Sequence, residues 1–248
     1  MRSKHALLLA ALASSALTGC NDAQPQADNS AGPELGLFTT LPIYWGEGED
    51  ITALLDPAGE PDWVRSALEE RYRLQPLDTL SPDTLKPLAL IFLAQPRVLA
   101  PAENLALDEW VRSGGRALIM ADPMLTRHSE YALGDKRRPQ DVAVLSPILA
   151  RWGLELRFNE DQQGGERNAN SDGYAIPVDL AGQFVLKSTD APADCTVSED
   201  GILARCRIGE GQVTLLADAA LLDWEGPGAP PPQRRGALDS LLAESLVN

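Results

Sequence analysis

Two continuous apolar runs on either side of a short amphipathic stretch constrain the fold of this chain more than any other feature. Residues 88–94 and 117–121 contain no polar side chain, which is typical of strands covered on both faces, as in a parallel sheet. Between them, a helix is predicted to begin at Pro101, because the first turn of a helix tolerates proline. Gly114-Gly115 suits a left-handed cap at the end of this helix. The segment therefore predicts a right-handed β-α-β unit.

The rest of the chain alternates between similar helix and strand signals. Asp62 is predicted to cap one helix, Ser146-Pro147 to start another, and leucines within residues 238–246 mark a closing amphipathic helix. Residues 159–173 are polar and rich in glycine and asparagine, which predicts a mobile loop, and residues 225–234 form a proline-rich loop. The other predicted strands cover residues 37–45, 74–77, 154–158, 174–178, 184–186 and 213–217.

This pattern predicts an α/β fold, with a mostly parallel sheet flanked by helices and a late antiparallel β hairpin. We expect a single domain over residues 35–248, and the alternative is two small domains split near residue 160. Hydrophobic residues make up 44% of the chain, as in a globular protein rather than a disordered one.

The N-terminus has the pattern of an export signal. A basic start at residues 2–5 precedes the apolar residues 6–17, a stretch too short for a bilayer, which needs ~20 apolar residues. The ending Leu17-Thr18-Gly19-Cys20 resembles the lipobox of bacterial lipoproteins. That resemblance implies cleavage before Cys20 and attachment of lipid, palmitate among the acyl groups, to this cysteine. The alternative is an ordinary signal peptide with a cysteine at its boundary.

These signals predict a compartment and an anchor. Residues 1–19 would be removed as a signal peptide, and the polar residues 20–34 would form a flexible tether. The domain would then be held by several acyl chains to a membrane of the bacterial cell envelope. We expect the domain outside the cytoplasm, on the periplasmic side. The sequence leaves open whether the inner or the outer membrane holds the anchor.

An oxidising compartment favours a disulfide between the two remaining cysteines. Asp200-Gly201 is a strong signal for a two-residue hairpin turn. Folding the chain there places Cys195 opposite Cys206, close enough for a bridge, and the count makes them a hydrogen-bonded pair. The alternative is two free, buried thiols.

The charge of the chain excludes one class of partner. The formal net charge is -15, and removal of residues 1–19 takes away two basic residues and no acid, which leaves -17. Such a surface repels nucleic acid and anionic lipid. We therefore expect no nucleic-acid partner.

Candidate binding residues lie at the predicted carboxyl ends of strands, where ligands gather in open α/β sheets. They are Trp45, Glu47, Gln95 and Asp122, and Asp218 ends a later strand. Glu47 and Asp122 are the candidate acid and base for hydrolysis. The alternative is that these acids are solvated or cap helices at the starts of loops.

The predicted loop over residues 124–141 is a second candidate, because most α/β connections have only ~2–6 residues. A cluster of cations there would bind a phosphate, a carboxylate or an acidic partner. The alternative is a solvated loop that pairs with the acids of the protein itself. The cluster consists of Arg127, His128, Lys136, Arg137 and Arg138.

Several stretches of the chain together are similar to a known family. They resemble the extracytoplasmic domains of GldG-like proteins, the gliding-motility-type ABC transporter auxiliary family. The resemblance implies a flavodoxin-like fold of the class I glutamine amidotransferase-like type, and ABC transporter permease and ATPase partners. Members of this type are usually tied to the membrane by transmembrane helices. The stretches that carry the resemblance are residues 88–96, 99–103, 107–111, 114–123, 149–156 and 209–218.

Catalytic and metal-binding sets are missing from the sequence. Amidotransferase chemistry needs a cysteine at a strand-to-helix turn, and residues 35–194 contain no cysteine. His128 is the only histidine after residue 19, and there is no Gly-x-Ser-x-Gly, Cys-x-x-Cys or His-Glu-x-x-His motif. We therefore expect no catalytic residues, no metal and no cofactor.

Three functions remain open at this point. The first is a non-catalytic binding or accessory component of the envelope, linked to an ABC-type transport system. The second is a cell-envelope hydrolase that uses strand-end carboxylates. The third is a purely structural interaction module.

Overall fold

The computed structural model describes residues 32–47, 61–171, 173–188 and 193–246. The predictions for the signal peptide, for Cys20 and for most of the tether lie outside the described residues. Within them, no helix is both long and apolar enough to cross a membrane.

A central sheet of seven strands organises the described residues. The strands are β1 (Glu34–Thr39), β2 (Arg73–Pro76), β3 (Leu90–Ala94), β4 (Arg116–Met120), β9 (Ala193–Val197), β10 (Leu203–Ile208) and β11 (Gly211–Leu216). Their order across the sheet is β2-β1-β3-β4-β11-β10-β9. The first five strands of this order run parallel, and β10 and β9 add an antiparallel extension. The prediction of a mostly parallel α/β sheet with a late antiparallel hairpin is confirmed.

Helices and two small antiparallel pairs surround this sheet. The pairs are β5 (Leu154–Arg157) with β8 (Gln183–Leu186), and β6 (Arg167–Ser171) with β7 (Tyr174–Val178). The helices are α1 (Trp63–Glu69), α2 (Pro82–Leu85), α3 (Pro101–Arg112), α4 (Ser146–Arg151) and α5 (Pro232–Leu246), with a 3-10 turn at Ala220–Leu222.

Each face of the sheet is covered by its own apolar core. Phe92 of β3 faces the core built with α1 and α5, whereas its neighbours Ile91 and Leu93 face the core built with α3 and α4. Every residue of β3 is buried, as the continuous apolar run predicts. Because β11 pairs with β4, strands from both sides of residue 160 share one sheet.

The β-α-β unit and the first helix follow their sequence signals closely. Pro101 opens α3, and Gly114 has a φ of 108° in the left-handed region just after it. At α1, the Asp62 carboxylate accepts a hydrogen bond of 2.8 Å from the backbone N–H of Val64. This is the cap predicted from the position of Asp62.

The strand β1 and the helix α4 are among the elements whose boundaries differ from the sequence prediction. The strand expected over residues 37–45 ends at Thr39, because the Thr39 hydroxyl accepts a hydrogen bond of 2.9 Å from the Leu41 N–H and turns the chain. Ser146 is the first helical residue of α4 rather than its cap, and Leu145 precedes it without a side-chain hydrogen bond.

The prediction of a loop throughout residues 159–173 is wrong for its second half. Residues Arg167–Ser171 form β6 and pair with β7 around Gly173, whose φ is 89°. Ala169 is buried in the core and Ser171 is buried as well. The alternation is hard to recognise in sequence because its inward positions are small residues. The loop expected over residues 225–234 also ends early, where α5 begins at Pro232.

The hairpin of β9 and β10 contains the expected disulfide between Cys195 and Cys206. Its turn is longer than predicted, because the Ser198 N–H donates to the Leu203 carbonyl at 2.9 Å and leaves residues 199–202 as the loop. Since hydrogen-bonded pairs alternate along an antiparallel ladder, the cysteines form a non-hydrogen-bonded pair. Their Cα atoms lie 4.0 Å apart, which corrects the predicted pair type.

Replacing both Cys195 and Cys206 with alanine is expected to lower the free energy of unfolding by about 2 kcal/mol, since the bridge closes a short loop in the unfolded chain. Chemical denaturation with and without dithiothreitol measures this. The reductant should destabilise the parent protein and leave the double variant unchanged. Two free sulfhydryls at these positions in the unreduced, denatured protein would contradict the bridge.

Candidate functional site

Three buried polar residues stand directly beyond the carboxyl ends of neighbouring strands. Gln95 follows β3, Asp122 follows β4 after one residue, and Asp218 follows β11 after one residue. Each has no exposed surface. Burial of polar groups is costly unless they are hydrogen-bonded, so their partners decide what this edge of the sheet can do.

Gln95 joins the ends of three strands to the long loop after β4. Its Oε1 accepts a hydrogen bond of 2.8 Å from the Asp122 N–H, and its Nε2 donates to the carbonyls of Asp122 at 3.1 Å and Gln140 at 2.8 Å. Its own carbonyl accepts from the hydroxyl of Thr40, just after β1, at 2.5 Å. Gln95 has a φ of 45°, an unusual conformation for a non-glycine residue. These bonds hold it in that conformation.

Replacing Gln95 with alanine is expected to lower the free energy of unfolding by about 2 kcal/mol, because it leaves backbone groups of Asp122 and Gln140 without their buried partners. Hydrogen exchange should also accelerate across residues 124–143. Gln163→Ala, at an exposed position before β6, is the control and should change neither quantity. Unchanged exchange in this loop would show that Gln95 does not hold it.

The carboxylates of Asp122 and Asp218 act as caps for backbone N–H groups. Asp122 accepts hydrogen bonds from the N–H groups of Met124 at 2.8 Å and Ala219 at 3.2 Å. Asp218 accepts from those of Ala220 at 2.6 Å and Asp179 at 2.9 Å. In both side chains each oxygen has a backbone donor. Sequence reasoning offered this capping role as the alternative to catalysis.

Burial and neighbouring charges raise the pKa of both carboxyl groups. Burial is the main cause that raises the pKa of Asp122 to about 6. The backbone hydrogen bonds that this carboxylate accepts lower the pKa, and the charge of Asp179 raises it further. Burial likewise raises the pKa of Asp218 well above its usual range, and the charge of Asp122 adds to that rise. The pair therefore holds a proton to a higher pH than ordinary aspartates do.

A cleft of about 280 Å³ opens beside this buried edge, at the carboxyl ends of β1 and β2. It brings together Trp45, Glu47 and Arg137, three of the candidates chosen from the sequence. Trp45 is 65% exposed and lies edge-on to Tyr44, with ring centroids 4.7 Å apart. The cleft is lined by residues within 37–47, by residues 76–78, and by Tyr131 and Arg137.

The arginines of the long loop pair with acids of the protein itself. Arg127 lies 3.0 Å from Asp223. Arg137 binds Asp135 at 2.8 Å, and Arg138 lies 3.1 Å from Asp141. His128 is exposed in the same loop.

The structure therefore separates the predicted site residues into three places, apart from His128 and Arg138, which lie elsewhere on the long loop. Trp45, Glu47 and Arg137 line the cleft, Gln95 and Asp122 lie in the buried network, and Arg127 is tied to Asp223. Further residues that were not chosen from the sequence also belong to these places. Among them are Thr40, Tyr131, Gln140 and Asp179.

A larger cleft of about 470 Å³ lies at the opposite, amino ends of β3 and β4. It is lined mainly by apolar residues between α2 and α3, and the Trp110 indole N–H there donates to the Leu88 carbonyl at 2.9 Å. Ligands of open α/β sheets gather at the other end of the strands. Its size alone does not make it the functional site.

Within the described ranges, no three histidine, cysteine, aspartate or glutamate side chains are grouped so that they would hold a metal ion. What these ranges do present is an open α/β domain with a polar cleft beside a buried carboxyl network.

Comparison with known proteins identifies the family. The profile of the ABC transporter auxiliary family, described as an ABC-type uncharacterized transport system, matches residues 33–169, more than half of the chain. The chain belongs to this family, whose description indicates an auxiliary component of an ABC-type transport system. None of the curated proteins searched is a significant match.

Several solved structures are distant likenesses of this chain. A β-galactosidase from Rahnella sp. R3 is 14% identical with a TM-score of 0.45, over 86% of this chain and 31% of that one. An exo-β-1,4-mannosidase from Opitutaceae bacterium strain TAV5 is 13% identical with a TM-score of 0.43, over 86% and 34%. A cytoplasmic protein from Salmonella typhimurium is 11% identical with a TM-score of 0.42, over 84% and 97%. The chain spans about a third of the length of the two glycosidases, and such distant likenesses carry no conclusion about activity.

Proposed function

We propose that this protein is a lipid-anchored, non-catalytic accessory subunit of an ABC-type transport system, held at the cell envelope through Cys20. Its domain would lie on the periplasmic side and bind a ligand or partner at the carboxyl-end cleft. Membership of the auxiliary family supports the link to a transporter, and the resemblance of Leu17-Thr18-Gly19-Cys20 to a lipobox supports the anchor.

We also propose that the fold is flavodoxin-like, of the class I glutamine amidotransferase-like type. The five parallel strands follow the order β2-β1-β3-β4-β11, which corresponds to the flavodoxin-like order 2-1-3-4-5 with its switch point between β1 and β3. In this protein, Thr40, Gln95 and Gln140 fill that point with their own hydrogen bonds. A ligand would therefore be displaced toward the neighbouring cleft.

One observation carries the non-catalytic assignment. A general acid or base must come within hydrogen-bond reach of the substrate, whereas Asp122 and Asp218 are fully buried and use their oxygens on backbone N–H groups. Because Asp122 is one of the two carboxylates predicted as acid and base, its burial argues against a hydrolase that uses the pair of Glu47 and Asp122.

Affinity purification from detergent-solubilised membranes tests the proposal. Tagged full-length protein should co-purify with an ABC permease and ATPase, and its N-terminal peptide should carry acyl chains on Cys20. The Cys20→Ser variant should lack the acyl chains and leave the membrane fraction. An unrelated lipoprotein with the same tag is the control. Recovery of transporter subunits no greater than with that control would contradict the transport role, and an unmodified Cys20 would contradict the anchor.

A further inference from the structure

One carboxylate oxygen in the cleft lacks a hydrogen-bond donor. Glu47 Oε2 accepts from the Glu130 N–H at 3.0 Å, but Glu47 Oε1 is buried and has no hydrogen-bond partner within the described part of the chain. A buried carboxylate oxygen left in this way is costly. A donor supplied by a ligand in the cleft would remove that cost.

The other charges of the cleft favour a cation as that donor. Asp78 adds a second carboxylate to the lining. The positive charge of Arg137 is already compensated, since its guanidinium binds both carboxylate oxygens of Asp135 at 3.1 and 2.8 Å and lies 4.3 Å from the centre of the Tyr131 ring. Arg97 lies near Asp78, but its own charge is paired with Glu103. The described residues that line the cleft therefore carry net negative charge, within a chain of net charge -15.

The aromatic and apolar lining suits the same kind of ligand. Trp45 presents a largely exposed indole at the cleft, and indole is the best aromatic partner for a cation. The apolar side chains of Leu37, Leu41 and Leu77 line the cleft as well. They would pack against the hydrocarbon stem of a ligand whose charged end reaches Glu47.

We infer that the cleft binds a cationic group, an ammonium or guanidinium on a short hydrocarbon stem, between Glu47, Asp78 and Trp45. The volume of about 280 Å³ suits a group of side-chain size. Such a group has two sources, a free small organic cation or a basic side chain of a partner protein. This inference rests on the binding role proposed above and names the chemistry of its ligand.

Calorimetric titration of the full-length protein in a non-ionic polyoxyethylene detergent tests this site. The probes are n-butylammonium, n-butanol and butyrate, which share a stem and differ in charge. We expect n-butylammonium to bind with a millimolar or lower Kd, and the neutral and anionic probes to bind at least tenfold more weakly. The peptide acetyl-Gly-Lys-Gly-amide separates the sources: binding at least tenfold tighter than n-butylammonium indicates a partner's side chain, and similar binding a free cation.

Variants locate the bound cation. Glu47→Gln should raise the Kd of n-butylammonium at least tenfold, whereas Glu210→Gln, an exposed acid away from the cleft, should leave it unchanged. Trp45→Ala provides a second variant if Glu47→Gln unfolds, which thermal denaturation would reveal. No binding of the cation, equal binding of n-butanol, or an unchanged Kd in both cleft variants would overturn the inference. Because no transporter subunit is present, such a failure leaves the co-purification result standing.

Discussion

Replacing Asp108 with alanine is expected to lower the free energy of unfolding by about 3–4 kcal/mol. The Asp108 carboxylate has no exposed surface. It binds the Nε of Arg112 at 3.0 Å and of Arg151 at 2.5 Å, and it accepts from the Trp152 indole at 2.9 Å. Removing it leaves the buried indole N–H without an acceptor, and it also leaves a void between α3 and α4.

The protonation of Asp108 reflects the same contacts. Burial by itself would raise its pKa, but the hydrogen bonds from Arg112, Arg151 and Trp152 outweigh burial and lower the pKa. The carboxylate is therefore charged at neutral pH, and its contribution to stability is complete above the ordinary pKa of 3.8 and is lost progressively as the pH falls from there through the lowered pKa.

Urea denaturation of matched variants measures this effect. Glu109→Ala changes the exposed neighbour on the same helix and should alter the free energy of unfolding by less than about 0.5 kcal/mol. Asp108→Asn keeps an acceptor for Trp152 and should fall between the two. A loss below about 1 kcal/mol for Asp108→Ala would contradict the role of this carboxylate in joining α3 to α4.

The second large effect is expected from a change of pH rather than from a mutation. The free energy of unfolding should rise as the pH falls from 8 to 4.5. Asp122 has its pKa raised from its usual 3.8 to about 6, so between these values the folded protein binds more protons than the unfolded chain and is stabilised. A tenfold change in proton affinity is worth about 1.4 kcal/mol. Asp122 alone therefore contributes about 2 kcal/mol over this range, and Asp218 acts in the same direction.

Denaturation curves across this pH range check the sign and the source. Asp122→Asn removes one of the two titrating groups and should make the slope clearly shallower, even if the variant is less stable at every pH, while Asp218 accounts for the slope that remains. Glu103 is an internal contrast, because the hydrogen bond from Arg97 lowers its pKa to about 2. Its stabilisation is lost only at more acidic pH. Constant or falling stability of the parent protein between pH 8 and 4.5 would contradict the raised pKa values.

The parts of the fold that could be predicted are those set by local chemistry. The buried strand β3, the cap at Asp62 and the proline at the start of α3 follow from apolar runs, capping oxygens and the fixed φ of proline. The prediction failed where a short-range hydrogen bond ended a strand early, and where small inward residues concealed the alternating pattern of a strand. The Thr39 hydroxyl ends β1 early, and β6 hides its inward positions in Ala169 and Ser171.

The candidate site could be predicted only in part, because its geometry depends on the order of strands in space. Sequence position identified Gln95 and Asp122 as strand-end residues. It could not indicate that Thr40 and Gln140 meet Gln95 from distant parts of the chain. Nor could it assign the arginines of the long loop to their acids, since Arg127 finds Asp223 far along the sequence.

The position of β11 has a consequence for how the polypeptide matures. This strand fills the space between β4 and β10, although it is synthesised long after β4. Until β11 is available, the backbone N–H and C=O groups on that side of the apolar strand β4 have no partners. Such a strand edge is a template for pairing with other chains. A nascent or truncated polypeptide that stops before Gly211 is therefore expected to be prone to aggregation, and native assembly has to wait for nearly the whole chain.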